Sequence, residues 1–388
     1  MPAIASLDLT PAERLLLACC QAAPDFAAVS RALQLPDLDW ATFWDLAGRQ
    51  EVRPLVARTL ARARLLDELP APARAAADAA RVETTAQNLA ARAELRAIAS
   101  ELGNLGIPVM PLKGVELAQR VYGGLDARRC GDIDILVRER DWEPAWHALR
   151  ARGYRPLTTV SPGVREHPFH DVPLVRTTES GGFAVELHHQ LTDQRFTQID
   201  HDNLWRRALP DRGAGIVEMP PEELLVYLAL HLPKHDTGLL RLVADIDHLI
   251  ASGRLEICWE RALDLARRWR TRGQLYFALS ASATLLETPV PPQVWAGLRP
   301  PAWKRRAIAA LAGPRAMLRP PTREGLRADR FRIAYCLMLE PAPLALRAYR
   351  HYVLAPPGTH GFMARRCGEL RGAARTLLAL AGAGSRVR

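Results

Sequence analysis

The apolar positions of the chain change period twice. From residue 11 to 100 they recur at helical spacing among Ala, Leu and Arg, clearest over 40–47, 52–61 and 73–101, and predict an N-terminal helical region. An apolar run at 107–112 reads as a strand, and Lys113-Gly114 precede a helix predicted over 115–122. A glycine-bearing loop, 123–131, leads into Asp132-Ile133-Asp134-Ile135-Leu136-Val137, whose β-branched and apolar residues read as a buried strand. A helix over 142–152, a strand around 154–160 and strands near 172–177 and 183–189 follow, with Gly181-Gly182 expected as a hairpin turn. The helical period returns over 222–232, 238–251, 259–272 and 274–286, then in a Pro- and Arg-rich stretch over 303–312, 327–339 and 365–381. The expected fold class is α+β: a small mixed β-sheet core at 103–210, flanked by helical domains at 1–102 and 211–300 and a helical tail at 301–388. The domain at 211–300 is expected to close a cleft over the core.

Against this pattern the tripeptide Asp-Ile-Asp stands out because it occurs once in each regime, at Asp132–Asp134 and at Asp245–Asp247. On a strand, alternate side chains share a face, so two carboxylates two residues apart point the same way, about 7 Å apart along the strand. That spacing suits a divalent cation. On a helix, residues i and i+2 diverge by about 200°. The same letters are a metal clamp in one context and a divided pair in the other.

Composition narrows the picture less than the pattern does. The chain has 388 residues, 48% hydrophobic and 24% charged, ordinary for a well-cored protein. No basic-then-apolar segment opens it and no uncharged apolar run reaches the roughly 18–20 residues needed to span a bilayer, so a cytoplasmic location is expected. Six cysteines form no CxxC pair and read as reduced thiols rather than a zinc module. The net charge of +10 suits an anionic partner such as a nucleotide or RNA, but the basic residues are spread evenly, without an aromatic platform. Of 52 basic residues only three, Lys113, Lys234 and Lys304, are lysine. In so arginine-biased a chain a retained lysine points to a place where a compact charge is needed and a planar fork is not.

The strand acids call for a third carboxylate. Glu186, in Phe183-Ala184-Val185-Glu186-Leu187-His188-His189, is an acid inside an apolar strand, where burial costs several kcal/mol unless the charge is paired or metal-bound. His188 shares its face and can touch phosphate or act as a second donor. Plainer readings stand beside these: solvated acids in a turn for Asp132 and Asp134, an arginine salt bridge for Glu186, a helix cap for Gly114. His231, Lys234, His235 and Asp245 either line a cleft or pack as satisfied core groups. A His-Asp phosphohydrolase reading of His235-Asp236 and Asp245 lacks a suitable upstream histidine. No Gly-x-Ser-x-Gly elbow, Walker loop or dinucleotide-binding glycine pattern is present.

Taken together, Pro111-Leu112-Lys113-Gly114, Tyr122, Arg128, Gly131 to Val137, Val185-Glu186-Leu187-His188, and His231-Leu232-Pro233-Lys234-His235 with Arg241 and Asp245 resemble the uncharacterised bacterial nucleotidyltransferase family of the DNA polymerase β superfamily. The resemblance covers roughly residues 38–290. It implies that Asp132, Asp134 and Glu186 are catalytic, metal-binding acids for Mg²⁺ or Mn²⁺, that Gly114 lets backbone amides approach a triphosphate, and that Lys113 and Arg128 steady it. His188, Lys234 and His235 complete the expected nucleotide contacts. The chain departs from the wider superfamily at the turn, where Lys-Gly-Val replaces Gly-Ser or Gly-Gly. The implied activity is transfer of a nucleoside monophosphate from an NTP, ATP being expected, to a small-molecule, protein or RNA acceptor, with pyrophosphate release. The alternative is a nucleotide- or RNA-binding regulatory module that keeps the fold without the transfer.

Overall fold

Local chemistry marks the ends of the first helices in a computed structural model that describes residues 7–157, 170–178, 181–192, 194–210, 215–234, 239–319 and 324–352. Thr10 caps α1 (Pro11–Cys20) reciprocally with Glu13: its hydroxyl accepts from the Glu13 N–H, and the Glu13 carboxylate accepts from the Thr10 N–H. Asp25 and Asp39 cap α2 (Phe26–Leu33) and α3 (Trp40–Arg49), and α4 (Arg53–Arg62) carries its proline in the first turn, where no N–H is needed. The long helix α5 (Ala71–Asn104) follows.

The middle of the chain holds the sheet. β1 (Met110–Pro111) is shorter than the apolar run predicts, because Val109 bridges Ile216 instead. The expected single helix after it divides into α6 (Gly114–Leu117) and a wider π-turn over Ala118–Tyr122. Then come β2 (Ile133–Leu136), α7 (Trp142–Ala151), β3 (Arg155–Pro156), β4 (Asp171–Thr178), β5 (Gly181–His188), α8 (His201–Arg207), β6 (Leu209–Pro210) and β7 (Val217–Glu218). Gly181 and Gly182 are not the hairpin turn. They pair with Thr178 and Thr177 inside the ladder, and residues 179–180 between the strands lie outside the described residues.

The rest is helical: α9 (Pro221–His231), α10 (Leu240–Ala251), α11 (Trp259–Arg268), α12 (Arg272–Leu285), α13 (Pro292–Leu298), α14 (Ala302–Ala312), α15 (Pro314–Leu318), α16 (Glu324–Met338) and α17 (Ala342–Tyr352). Pro233 ends α9 rather than kinking it, since the next residues form a 3₁₀ turn. The helix expected at 365–381 lies outside the described residues. The protein is thus α+β, a mixed sheet with helical regions on both sides in sequence. Among the described residues no helix is long and apolar enough to cross a membrane.

These elements form two units interleaved along the sequence. Among the described residues the helical unit comprises 7–88, Leu117–Arg129 and Pro221–Tyr349; the sheet unit comprises Leu89–Glu116, Cys130–Pro220 and 350–352. In the helical unit Leu15, Leu16, Phe43, Leu60, Leu225, Val226, Ile246 and Leu275 are buried. Buried Gln50 joins three segments: its amide nitrogen donates to the Met317 carbonyl at 3.0 Å, and its side-chain oxygen accepts from the Leu240 N–H at 2.8 Å. The second Asp-Ile-Asp lies on α10, and its acids do diverge. Asp245 faces Tyr122 and Arg128, while Asp247 accepts from the Ala22 N–H and the Thr288 hydroxyl.

In the sheet unit the strand order is β1-β2-β5-β4-β3, with β2 and β5 parallel and the other pairs antiparallel. Register sorts the faces. Ile133 pairs Val185 and Ile135 pairs Leu187, and across β5 Val172 and Leu174 meet the same two residues, giving one apolar face. The opposite face carries Asp134 beside Glu186, Leu136 beside His188, and Asp171 across from His188. All of these residues are buried. Glu94 of α5 ties the unit together, accepting from Arg152 at 3.0 and 3.1 Å and from Tyr154 at 2.8 Å while pairing with Arg176 of β4 at 2.6 Å.

Candidate metal and nucleotide site

The polar face of the sheet concentrates charge that an apolar interior does not tolerate alone. Because β2 and β5 run parallel and in register, Asp134 and Glu186 stand side by side, and His188, two residues along β5, turns its ring toward both. His188 Nε2 lies 3.5 Å from Asp134 Oδ1 and 3.4 Å from Glu186 Oε2. Ligand atoms of the three residues fall within 4.8 Å of one another, close enough to hold one cation. A second such group, His170, Asp171 and His188, shares the imidazole. Asp132 sits half-buried just before β2 and belongs to neither group.

Lys113 comes to this face from β1. The Leu112 N–H donates to the Asp134 carbonyl at 3.0 Å, which fixes the chain one residue before Lys113, and Lys113 Nζ lies 3.0 Å from Asp134 Oδ1. The next residue must be glycine for two reasons. Gly114 has φ +70°, in the left-handed region, and a Cβ there would stand 3.3 Å from the Asp132 carbonyl oxygen. The Lys-Gly turn is therefore built against the backbone of the acidic strand.

The buried acids of this face lie against two basic side chains. Both carboxylate oxygens of Asp134 and both ring nitrogens of His188 are buried without a hydrogen bond: Lys113 meets Asp134 as an ion pair outside hydrogen-bond alignment, and the His188 contacts are too long. Burial alone would push the His188 pKa down; the charges of Asp134 and Glu186, aided by Asp171, outweigh it and raise the pKa to about 9. Lys113 and protonated His188 thus balance the acids. The Asp134 and Glu186 carboxylates fit a hard divalent cation, and His188 offers a nitrogen donor, suited to Mn²⁺ as well as Mg²⁺, only in its deprotonated form.

The other expected site residues belong to the helical unit or lie outside the described residues. Arg128 belongs to the helical unit, where it is 3% exposed and grips Asp245 with both arms of its fork, Nε to Oδ1 at 2.7 Å and Nη2 to Oδ2 at 3.0 Å. Tyr122 donates to the same Oδ1 at 2.7 Å. These partners, with Arg241, overcome burial and hold Asp245 below the usual carboxylate range. His231 closes α9 with its ring 6.1 Å from that of Tyr227. The backbone of Lys234 ends the 3₁₀ turn, but its side chain and all of His235 lie outside the described residues. Sequence reasoning passed over Asp171 and His170. Asp171 opens β4 in step with buried Val172 and Leu174, but only the β4–β5 register shows that it faces His188.

No curated protein and no solved structure matches the chain. A family model described as uncharacterised nucleotidyltransferase matches residues 36–287, a stretch that includes the acidic strand, its Glu186 partner and the Lys-Gly turn. The chain belongs to this uncharacterised nucleotidyltransferase family.

Proposed function

We propose that the protein transfers a nucleoside monophosphate from an NTP, ATP being the first candidate, to an acceptor, with Mg²⁺ or Mn²⁺ held by Asp134, Glu186 and Asp132. The observation that carries this reading is the in-register pair Asp134 and Glu186 on parallel strands, with the Asp134 carboxylate buried and, apart from its ion pairs with Lys113 and His188, making no hydrogen bond. A bound divalent cation would neutralise charge on the triphosphate and on the oxygens entering and leaving phosphorus. The chain's own residues do the positioning. Lys113, at the turn where Gly114 exposes the backbone, offers a compact charge to phosphate oxygens, and His188 buttresses the two acids. The acceptor oxygen or nitrogen bonds to the α-phosphorus, the bond to the bridging oxygen breaks, and pyrophosphate departs. The acceptor's proton passes to Glu186 or to solvent.

Arg128 enters this reading by anchoring the loop before the acidic strand rather than by touching phosphate, since Asp245 takes its fork. Lys234 and His235 are assigned to the nucleotide's remaining contacts. The test is calorimetry with each NTP, with and without Mg²⁺, on the wild type and Asp134→Asn. Binding that requires both Mg²⁺ and Asp134 supports the transferase. Folded wild type that binds no nucleotide under any condition sinks it, and Mg²⁺-dependent binding without turnover on any acceptor favours the regulatory module.

A further inference from the structure

Four arginines of the helical unit gather with too few acids to balance them. Arg58 and Arg62 lie one turn apart on α4, Arg81 lies on α5, and Arg254 follows α10. The turn Gly123-Gly124 brings two of them together. The Arg254 guanidinium occupies the space that a Cβ on Gly123 would take, and Arg58 Nη1 lies 3.3 Å from the corresponding position on Gly124. The one carboxylate in the group is Asp126, 3.2 Å from Arg58 Nη1. Among the described residues Arg62, Arg81 and Arg254 have no carboxylate partner, and Arg62 rests against the Phe26 ring.

A solvated basic surface is the ordinary explanation for such a group, and it does not fit Arg81 Nε, which is buried and donates no hydrogen bond, a cost that a bound oxyanion would remove. Arg58 Nη1 is buried too and meets only Asp126, as an ion pair. Burial lowers the Arg58 pKa; Asp126 opposes this, while Arg62, Arg254 and Arg81 push it further down. Asn88, two turns after Arg81 on the same face of α5, donates to the Leu125 and Arg128 carbonyls and so sets that face against the loop after Gly124. Guanidinium forks match the tetrahedral oxygens of phosphate.

We propose that Arg58, Arg62, Arg81 and Arg254, grouped at the Gly123-Gly124 turn, form a binding site for the phosphate group of a small phosphomonoester, built from none of the residues of the Asp134 cluster. The site does not rest on the nucleotidyl-transfer reading.

The experiment is calorimetric titration of the full chain with inorganic phosphate at constant ionic strength. The proteins compared are the wild type, Arg254→Gln, Arg81→Gln, Asp134→Asn, and Arg31→Gln, a surface arginine paired with Asp25 on α2. The expected result is one saturable site, weakened at least tenfold in Arg254→Gln and Arg81→Gln and unchanged in Arg31→Gln and Asp134→Asn. No saturable binding, equal affinity in the two site variants, or an equal loss in Arg31→Gln overturns the proposal. Displacement by glycerol phosphate supports the monoester assignment, and displacement only by a dinucleotide bearing an internal phosphodiester overturns it. Phosphate binding that persists in a protein unable to bind any NTP keeps this site while sinking the transferase.

Discussion

Lys113 has the most consequential single side chain in the sheet unit, because its ammonium lies where a divalent cation would approach Asp134. Two cations cannot both sit within about 3 Å of one carboxylate oxygen without strong repulsion. Lys113→Met is therefore expected to tighten Mn²⁺ binding in the absence of nucleotide several-fold and to weaken Mg²⁺–NTP binding about tenfold, both measurable by calorimetry; parallel losses in the two assays would contradict this. Asp247 offers a test of a different kind. Burial raises its pKa to about 6, against hydrogen bonds from Thr288 and Ala22 that lower it. The folded protein then holds this proton more tightly than the unfolded chain, so its contribution to stability falls as pH rises from about 4 to 6, by about 3 kcal/mol over the shift. Neighbouring His248, whose pKa burial lowers to about 4, acts in the opposite sense, losing stability as pH falls from 6.5 toward 4. Asp247→Asn should remove the first slope and leave the second, making the variant's stability rise with pH across this window in denaturant titrations.

Turns and registers decide what the elements achieve. Gly114→Ala places a side chain at φ +70° against the Asp132 carbonyl, a strain of about 1–2 kcal/mol, and should lower nucleotide affinity because the same turn aims Lys113. Glu94→Gln should lower the thermal midpoint by several degrees, since it breaks the partly buried pairings that tie α5 to Arg152, Tyr154 and β4; the measurement is thermal melting. Much of this level was legible in the sequence. Helical spacing located α3, α4, α5, α9 to α12 and α14, and β-branched runs located β2, β4 and β5. The failures have physical reasons. The hairpin turn was misplaced because two glycines look like a turn wherever they occur, whereas here they extend the ladder. The apolar run before Lys113 shrank to two paired residues because Val109 found a partner at Ile216. Glu186 and His188 were legible as charged residues in an apolar strand, and the structure places them beside Asp134. Asp171 was missed because its place across from His188 depends on which strand lies beside it.

On the scale of the whole chain, each unit has its own buried charge, and the two should respond separately to mutation. Asp245→Asn removes the carboxylate that takes both arms of the buried Arg128 fork and is expected to destabilise the helical unit by about 3–5 kcal/mol. Hydrogen exchange should report that loss in α10 and the 123–129 loop, with protection of β2 and β5 retained; a uniform loss in both units would contradict this. The resemblance read from scattered motifs matched the family because those motifs are spread over the span that the family occupies, from the early helices to α12. The arginine group at Gly123-Gly124 had no such signal, since its members come from distant stretches and look like any others in a chain with 49 arginines, 52 basic residues less three lysines.

The parallel pairing of β2 with β5 also governs when the candidate site comes into being. Antiparallel β4 and β5 are near neighbours in sequence and can zip up early, whereas joining β5 to β2 closes a segment of more than forty residues and carries a larger entropic cost. A nascent chain that has formed only the hairpin has Glu186, His188 and Asp171 but no Asp134 beside them. If the proposed cation binds here, its affinity arises only with this long-range closure, and the ion would slow unfolding of the finished arrangement without hastening the hairpin that precedes it.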